Sequence, residues 1–597
     1  MKPITGGPSV NVFDDPFASL RGVIALGLWL AISTAPAQEA PGRALLLTGA
    51  TVIDGVTDGP LLERSLLIEG NTISAILPAG SPAPAGAEII NLNGRYVIPG
   101  LIDSHVHWLD WMGELFLNHG VTSIIAMADI DPELRARSQR AGRLPRIYHS
   151  GARIPFSPGD RPERIRQIVQ EWLAKEPDMA HFPDYNDASG DAFAVAAQAV
   201  HRAGFLIFGH AENAPDAISD GMDAVEHVWG FTQAAMSAEH LEAFRQGEYL
   251  TWATFMTDWV ALNEMIEDAI EAGAYLNPTL LYEWGGMSEN ASEQELDDYR
   301  VISDSDLVYF PENIAESVLA KHRQIKNFSR RYENLPFVKY LPEADRAQFE
   351  AGFQNVLEFI ARYARAGGKI LAGTDTISGG VPGLSLQHEM QMLVEAGLTP
   401  LQALKSATRW SAELLEGKDG VRGPASIGSL EPGKRADLVV LAADPLSEIA
   451  NALEIERVMK DGAWVDLGYT PEYYTFTSPS RSVAGATFAP VISSVTPAAL
   501  DAGTGTTRVV LEGSGFLLTS LIRVNGVSVE TIVTNPRRVE FDLPAELVAS
   551  PGPDPYRAPG PQQTIGIVGN RSIEIHVFNP PPEGGASNSV HLLVRPN

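Results

Sequence analysis

The spacing of apolar and polar positions changes character three times along this chain. From residue 44 to 98, short apolar runs (44–47, 50–53, 65–69, 73–77, 88–92 and 96–98) alternate with turn residues such as Asp54-Gly55, Asp58-Gly59-Pro60, Glu69-Gly70-Asn71 and Asn93-Gly94. Runs of that length bounded by Gly and Asn read as strands joined by tight turns. A handful of short strands buries little core alone, so this β element needs a partner elsewhere in the chain. After residue 100 strands alternate with helical segments, the pattern of an α/β fold built on parallel strands. Strands are expected at 101–107, 121–127, 146–151, 178–182, 205–210, 224–228, 275–279 and 370–375, with helices at 161–175, 191–203, 259–272 and 347–366 among them. Eight such units over roughly 300 residues fit a (β/α)8 TIM barrel over 99–421 better than an open sheet.

The polar stretch 282–343 is the largest insertion and is expected over the barrel mouth. Its Tyr282, Trp284, Tyr299, Tyr309 and Phe310, with many carboxylates nearby, read either as contacts for an apolar or cationic substrate or as ordinary packing beside a solvated face. Next comes a helix at 386–396 ended by Gly397, then one capped by Thr399 and begun by Pro400 that runs to about residue 415. Short strands return at 428–441 and 458–465. They complete, in 422–468, the β element begun in 44–98. A Ser/Thr/Pro-containing linker (469–489) follows. Residues 490–597 hold only strand-like runs, at 508–512, 521–524, 539–543, 565–568, 573–578 and 590–594, which predicts a separate all-β sandwich.

Composition narrows the chemistry. At 597 residues the chain is long enough for two or three domains. A formal charge of −30 disfavours nucleic acid and anionic membrane surfaces as partners. The chain has no cysteine, so disulfides, thiolate metal sites and a cysteine nucleophile are excluded, and any metal must be held by His and carboxylates. Arg21 precedes the apolar run 23–32, and Ala35-Pro36-Ala37 offers small residues ahead of Gln38, so residues 1–37 read as a secretory signal and the mature protein as periplasmic or secreted. About ten apolar residues are too few to cross ~30 Å of hydrocarbon, and no integral membrane span is expected.

Candidate chemistry starts at 97–107, an apolar run ending in His105 and His107. Alternate side chains of a strand share a face, so the two imidazoles can converge on one metal ion. With 13 His in 597 residues, composition alone produces about 0.3 His-x-His pairs, so the pair needs further support. It comes from the other strand ends. Polar residues at C-terminal strand ends of a barrel face one site, and those ends carry His105 and His107, His181, His210, His227 and Asp375. Six metal-competent side chains at five strand ends point jointly to a metal centre. His119, His149, His201, His240, His322, His388, His576 and His591 read as structural or surface residues.

The stretches 97–107, Asp223-Ala224-Val225-Glu226-His227, Asn277-Pro278-Thr279-Leu280, Ala372-Gly373-Thr374-Asp375, Gly397-Leu398-Thr399-Pro400 with Ala403 and Ala407-Thr408, and 428–441 resemble the metal-dependent amidohydrolase superfamily. The resemblance covers about residues 44–468, points to the branch with imidazolonepropionases and secreted Xaa-Pro and Xaa-Arg dipeptidases, and implies a composite β-sandwich made from the two flanks, 44–98 and 422–468. It implies a divalent metal, with zinc the expected ion, held by His105, His107 and Asp375. It makes His210 and His227 ligands of a second metal, or substrate contacts if one metal binds. Asp375 would also be the general base for water activated by the metal.

One position departs from the family pattern. Where binuclear members carry a lysine that becomes a bridging carbamate, this chain reads Asp178-Met179-Ala180-His181-Phe182. A neutral imidazole binds one metal through one nitrogen. The centre then holds one tight ion, or His181 holds a second without a protein bridge, or His181 meets substrate. The implied activity is hydrolysis of a C–N bond in a dipeptide, N-acyl amino acid or cyclic amide. The alternative is an inactive barrel that binds through its Ig-like domain. Residues 492–497, Gly503-Thr504-Gly505, 511–516, Val524-Asn525-Gly526 and Ser587-Asn588-Ser589 resemble the immunoglobulin-like all-β IPT/TIG fold, which implies contact with a protein partner or surface and no chemistry of its own.

Overall fold

In this computed structural model the described residues are 44–151, 154, 159–182, 191–245, 256, 258–304, 307, 309–311, 314, 318, 343–376, 380–470, 473, 490–516, 520–525, 527–529, 531–535, 537–548, 571–579 and 585–595. The expected signal (1–37) and most of the expected linker (469–489) lie outside them. Tyr473 of that linker is buried, its ring 5.1 Å from the ring of Tyr309. No helix among the described residues is long and apolar enough to cross a membrane.

The two β-rich flanks meet in one sheet. β1 (Leu45–Val52), β2 (Leu61–Glu69), β3 (Thr72–Pro78), β4 (Glu88–Asn91) and β5 (Tyr96–Pro99) join β14 (Leu438–Leu441), β15 (Ile455–Lys460) and β16 (Ala463–Trp464) in the path β16-β15-β14-β5-β1-β2-β3, with β4 on β1. The seam is antiparallel, Val439 opposite Ile98 and Val440 opposite Val97. Leu47, Val52, Leu66, Ile73 and Val97 of the first flank share one core with Leu438, Val440 and Met459 of the second. Neither flank carries enough apolar surface alone.

Among the described residues, eight parallel strands in two sheets run between the flanks. The first is β6 (Leu101–Val106), β7 (Val121–Ala126) and β8 (Arg146–His149). The second is β9 (Ala180–Phe182), β10 (Ile207–Gly209), β11 (Ala224–Glu226), β12 (Tyr275–Asn277) and β13 (Lys369–Ile370). β6 and β7 are buried at every residue, as parallel strands covered on both faces must be. Backbone hydrogen bonds also link the two sheets: Ser104 N donates to Ala372 O (3.0 Å) and Asp375 N to His105 O (3.0 Å), while Asp178 N donates to His149 O (2.8 Å). The expected strands are present but shorter than the apolar runs that announce them.

The helices follow their local signals. Thr399 Oγ1 accepts from Gln402 N at 3.2 Å while the Gln402 side chain accepts from Thr399 N at 2.9 Å, a reciprocal cap with Pro400 at the first helical position. Thr399→Ala should therefore cost about 1 kcal/mol of stability, read as a lower urea midpoint at unchanged slope. That helix does not reach residue 415. It ends at Ser406 and a second one spans Arg409–Glu413. At the break the carbonyl of Ala407 accepts from Ile102 N of β6 (2.7 Å) and that of Ser406 from Ala372 N just past β13 (3.2 Å), so carbonyls that could close helical turns serve distant backbone instead.

Of the insertion's aromatics, Trp284, Tyr309 and Phe310 are buried core residues, the packing alternative for those three. Among the described residues, the C-terminal region from 491 to 595 is built of strands apart from a 3-10 turn at Ala545–Leu547, and the strand expected at 565–568 lies outside the described residues. One of its sheets runs β17 (Val491–Thr496), β19 (Thr507–Ser514), β23 (Arg538–Leu543), β22 (Ile532–Asn535). The other runs β18 (Ala499–Asp501), β26 (Val590–Arg595), β24 (Arg571–Asn579), β20 (Leu521–Val524), β21 (Val527–Val529), with β25 (Gly585–Ala586) on β24. Ile492, Val509, Leu511 and Phe541 meet Ile522, Ile573, Ile575 and Leu592 in a core of their own.

Candidate metal centre

The centre begins with β6. His105 is buried and its Nε2 lies 3.4 Å from Nε2 of His107. Asp375 Oδ1 lies 3.4 Å from His105 Nε2 and 3.0 Å from His107 Nε2. Donors on one tetrahedral ion at about 2.0–2.2 Å lie about 3.3–3.6 Å apart, so the three atoms nearly form one face of such a polyhedron. Among the described residues these three side chains form a group able to hold a metal ion.

Buried Asp103 ties the two ligand segments together. Its Oδ1 accepts from the backbone N–H groups of His105 (3.2 Å) and Thr374 (3.1 Å), and its Oδ2 accepts from Thr374 Oγ1 (2.7 Å). Burial, opposed by those bonds, pushes its pKa up to about 7. Gly373 is required beside them, since a Cβ there would stand 2.8 Å from the Cβ of His105 and closer still to the Asn277 amide.

Strand alternation alone would turn His227, the neighbour of Glu226, away from this point. His227 is left-handed, at φ 62°, as are Asp375 at φ 50° and Thr279 at φ 46°. Non-glycine residues pay for that backbone, commonly at functional sites. The turn at His227 lets two neighbours, Glu226 and His227, serve the same centre. His227 Nε2 lies 3.2 Å from His210 Nε2, His227 Nδ1 lies 2.6 Å from Thr279 Oγ1, and the Trp229 ring stacks on His227 at 5.3 Å.

His181 stands apart from the trio. Its Nε2 is 3.3 Å from Glu226 Oε2, and His210 Nε2 is 3.0 Å from the same oxygen. The other carboxylate oxygen of Glu226 pairs with His105 Nδ1. One fully buried carboxylate thus touches three imidazoles, and accepting from Nδ1–H of His105 would leave the Nε2 lone pair for a metal. Sequence reasoning missed Glu226, Asp103 and Thr279 as functional residues. The signal for Glu226 was in the pattern: it falls two residues after Ala224 on a buried strand, hence on the same face.

The electrostatics follow from this crowding. Burial opposes a charged His105, but Glu226, Asp375 and Asp103 outweigh it and hold its pKa up at about 9. Burial would raise Glu226 and Asp375, yet the surrounding imidazoles hold both below the usual carboxylate range. Burial, reinforced by His210, pushes His227 down to about 3, and burial lowers His181. The field that draws a proton to His105 also draws a cation.

The amidohydrolase family pattern matches residues 96–465, more than half of the chain. The chain belongs to the amidohydrolase family. An adenine deaminase of Chelativorans sp. (strain BNC1) is 38% identical over 74 residues, 12% of each chain. A dihydroorotase of Bacillus caldolyticus is 32% identical over 111 residues, 17% of this chain and 26% of its own. Both matches span well under two thirds of those relatives. Among solved structures, phenylurea hydrolase B aligns at a TM-score of 0.50 and 18% identity, covering 73% of this chain and all of its own. At that identity the likeness is one of fold. A Xaa-Pro dipeptidase with bound methionine aligns at 0.47 and 20% identity, over 71% of this chain and 100% of its own.

Proposed function

We propose that this amidohydrolase-family member is a metal-dependent hydrolase of C–N bonds in small amides or dipeptides, exported to the periplasm or beyond. The observation that carries the reading is the trio of donor atoms from His105, His107 and Asp375, 3.0–3.4 Å apart at the ends of parallel strands. These residues would hold one tight divalent ion, zinc by the nitrogen-and-oxygen donor set. When bound, such an ion lowers the pKa of its water toward ~7 and polarises the scissile carbonyl. Asp375 keeps an ionised carboxylate beside that position, able to take a proton and return it to the leaving nitrogen. His210 and His227 face substrate across the centre, or hold a second ion. His181, bound to Glu226, serves the frame of the site.

The reading also takes the two parallel sheets as one closed eight-stranded barrel. Ile125, Met179, Phe208, Ala224 and Leu371, from five strand segments, gather in one cluster, as interior residues of a barrel do. The C-terminal region is read as an IPT/TIG-like module for a protein partner or surface. Metal analysis of purified protein should find about one zinc-class ion per chain, and chelation should abolish hydrolysis across a panel of dipeptides, N-acyl amino acids and lactams, with zinc restoring it. Fully loaded protein that hydrolyses nothing on that panel would favour a binding function instead.

A further inference from the structure

We propose that Glu389 is a positioning residue that sets His227 through Thr279; the effect on catalysis rests on the function proposed above. Thr279 is fully buried and left-handed at φ 46°, ψ 48°, a conformation a β-branched residue adopts only when its surroundings impose it. The helix Leu280–Trp284 starts immediately after it, and the first N–H groups of a helix have no partner within it. Glu389 supplies the partner from far along the chain. Its Oε1 accepts from Leu280 N at 2.9 Å and its Oε2 from Leu281 N at 2.7 Å. Glu389 is fully buried on the helix Leu384–Glu395, which follows Asp375 in the chain.

That clamp reaches the centre by one more contact. Thr279 Oγ1 lies 2.6 Å from His227 Nδ1, which leaves His227 Nε2 facing His210. A competitor waits nearby, because Glu283 Oε1 is 3.6 Å from the same Nδ1. With the Glu389 clamp gone, the turn at Thr279 relaxes, and Nδ1 exchanges the hydroxyl for the Glu283 carboxyl. His227 keeps a partner but takes another orientation. One carboxylate therefore ties the turn after β12 to the helix that follows Asp375.

The test compares Glu389→Gln, Thr279→Val, Thr279→Ser and the Glu389→Gln/Thr279→Val double variant. In protein labelled with 15N-histidine, Glu389→Gln and Thr279→Val should displace the same His227 imidazole signals, and Thr279→Ser should leave them in place. kcat/KM should fall about 10–100-fold in either single variant and no further in the double one. An unmoved His227 signal in Glu389→Gln, or losses that multiply in the double variant, overturns the proposal. If Glu389→Gln does not fold, Glu389→Asp, which keeps the charge but withdraws the carboxylate, carries the same comparison. Absence of any hydrolysis by wild type would defeat the proposed function, while the imidazole signals would still decide this inference.

Discussion

Asp375→Asn should lower kcat/KM by at least about 10³-fold, within the range that a lost general base costs, and it should weaken metal binding at the same time. The substitution preserves shape but removes the charge that faces two imidazoles. Asp375 Oδ1 lies 3.0–3.4 Å from Nε2 of both His107 and His105, so the variant removes an anionic ligand and a proton acceptor together. Asparagine offers a carbonyl oxygen as a weak ligand and cannot take a proton at neutral pH. The backbone should tolerate the change, because Asn adopts the left-handed region about as readily as Asp. Steady-state rates on the best substrate of the panel, measured with excess zinc, separate the two losses. Wild-type turnover at full metal loading would remove Asp375 from the chemistry.

The parts of this molecule legible in the sequence were those governed by local periodicity. Each of the eight parallel strands overlaps an apolar run, because strands covered on both faces need near-continuous hydrophobic residues. Thr399 and Pro400 announced a helix start that the reciprocal cap fulfils. The helix end was not legible, since the carbonyls at the break, Ser406 and Ala407, bond the N–H groups of Ala372 and Ile102, distant in the chain. The same limit hid part of the centre. Alternation places Glu226 and His227 on opposite faces, and only the left-handed backbone of His227 reconciles them. Glu389 was silent for a similar reason: its partners are two backbone N–H groups more than a hundred residues away, and no spacing rule links them.

His181 of β9, at the position that departs from the family pattern, meets Glu226 of β11 at 3.3 Å. Glu226 reaches His105, His181 and His210 at once, so the negative charge sits on a carboxylate fixed by the fold. Of those three imidazoles only His105 belongs to the trio with His107 and Asp375, and Glu226 meets it at Nδ1, the ring nitrogen turned away from them.

Glu226→Gln should accordingly do more damage than its distance from the scissile bond suggests. Metal affinity should fall about 10–100-fold, the usual effect of losing a carboxylate that orients a ligating histidine. Stability should fall by about 3–5 kcal/mol, because removing one member of a buried ionic cluster strands the others. The effect carries a pH signature in chelator-treated protein. His105 is held at about 9 when folded, against ~6.5 when unfolded. Its contribution is complete below ~6.5 and is lost as pH rises toward about 9. Glu226 shifts the other way: its folded value lies below the unfolded ~4.3, so its contribution holds above that pH and disappears on further acidification. Urea midpoints of chelated wild type should therefore fall between about pH 6 and 9, with that fall much reduced in Glu226→Gln, since Glu226 is the foremost charge raising His105. Equal falls in the two proteins, together with unchanged zinc affinity, would show that Glu226 neither charges nor orients His105.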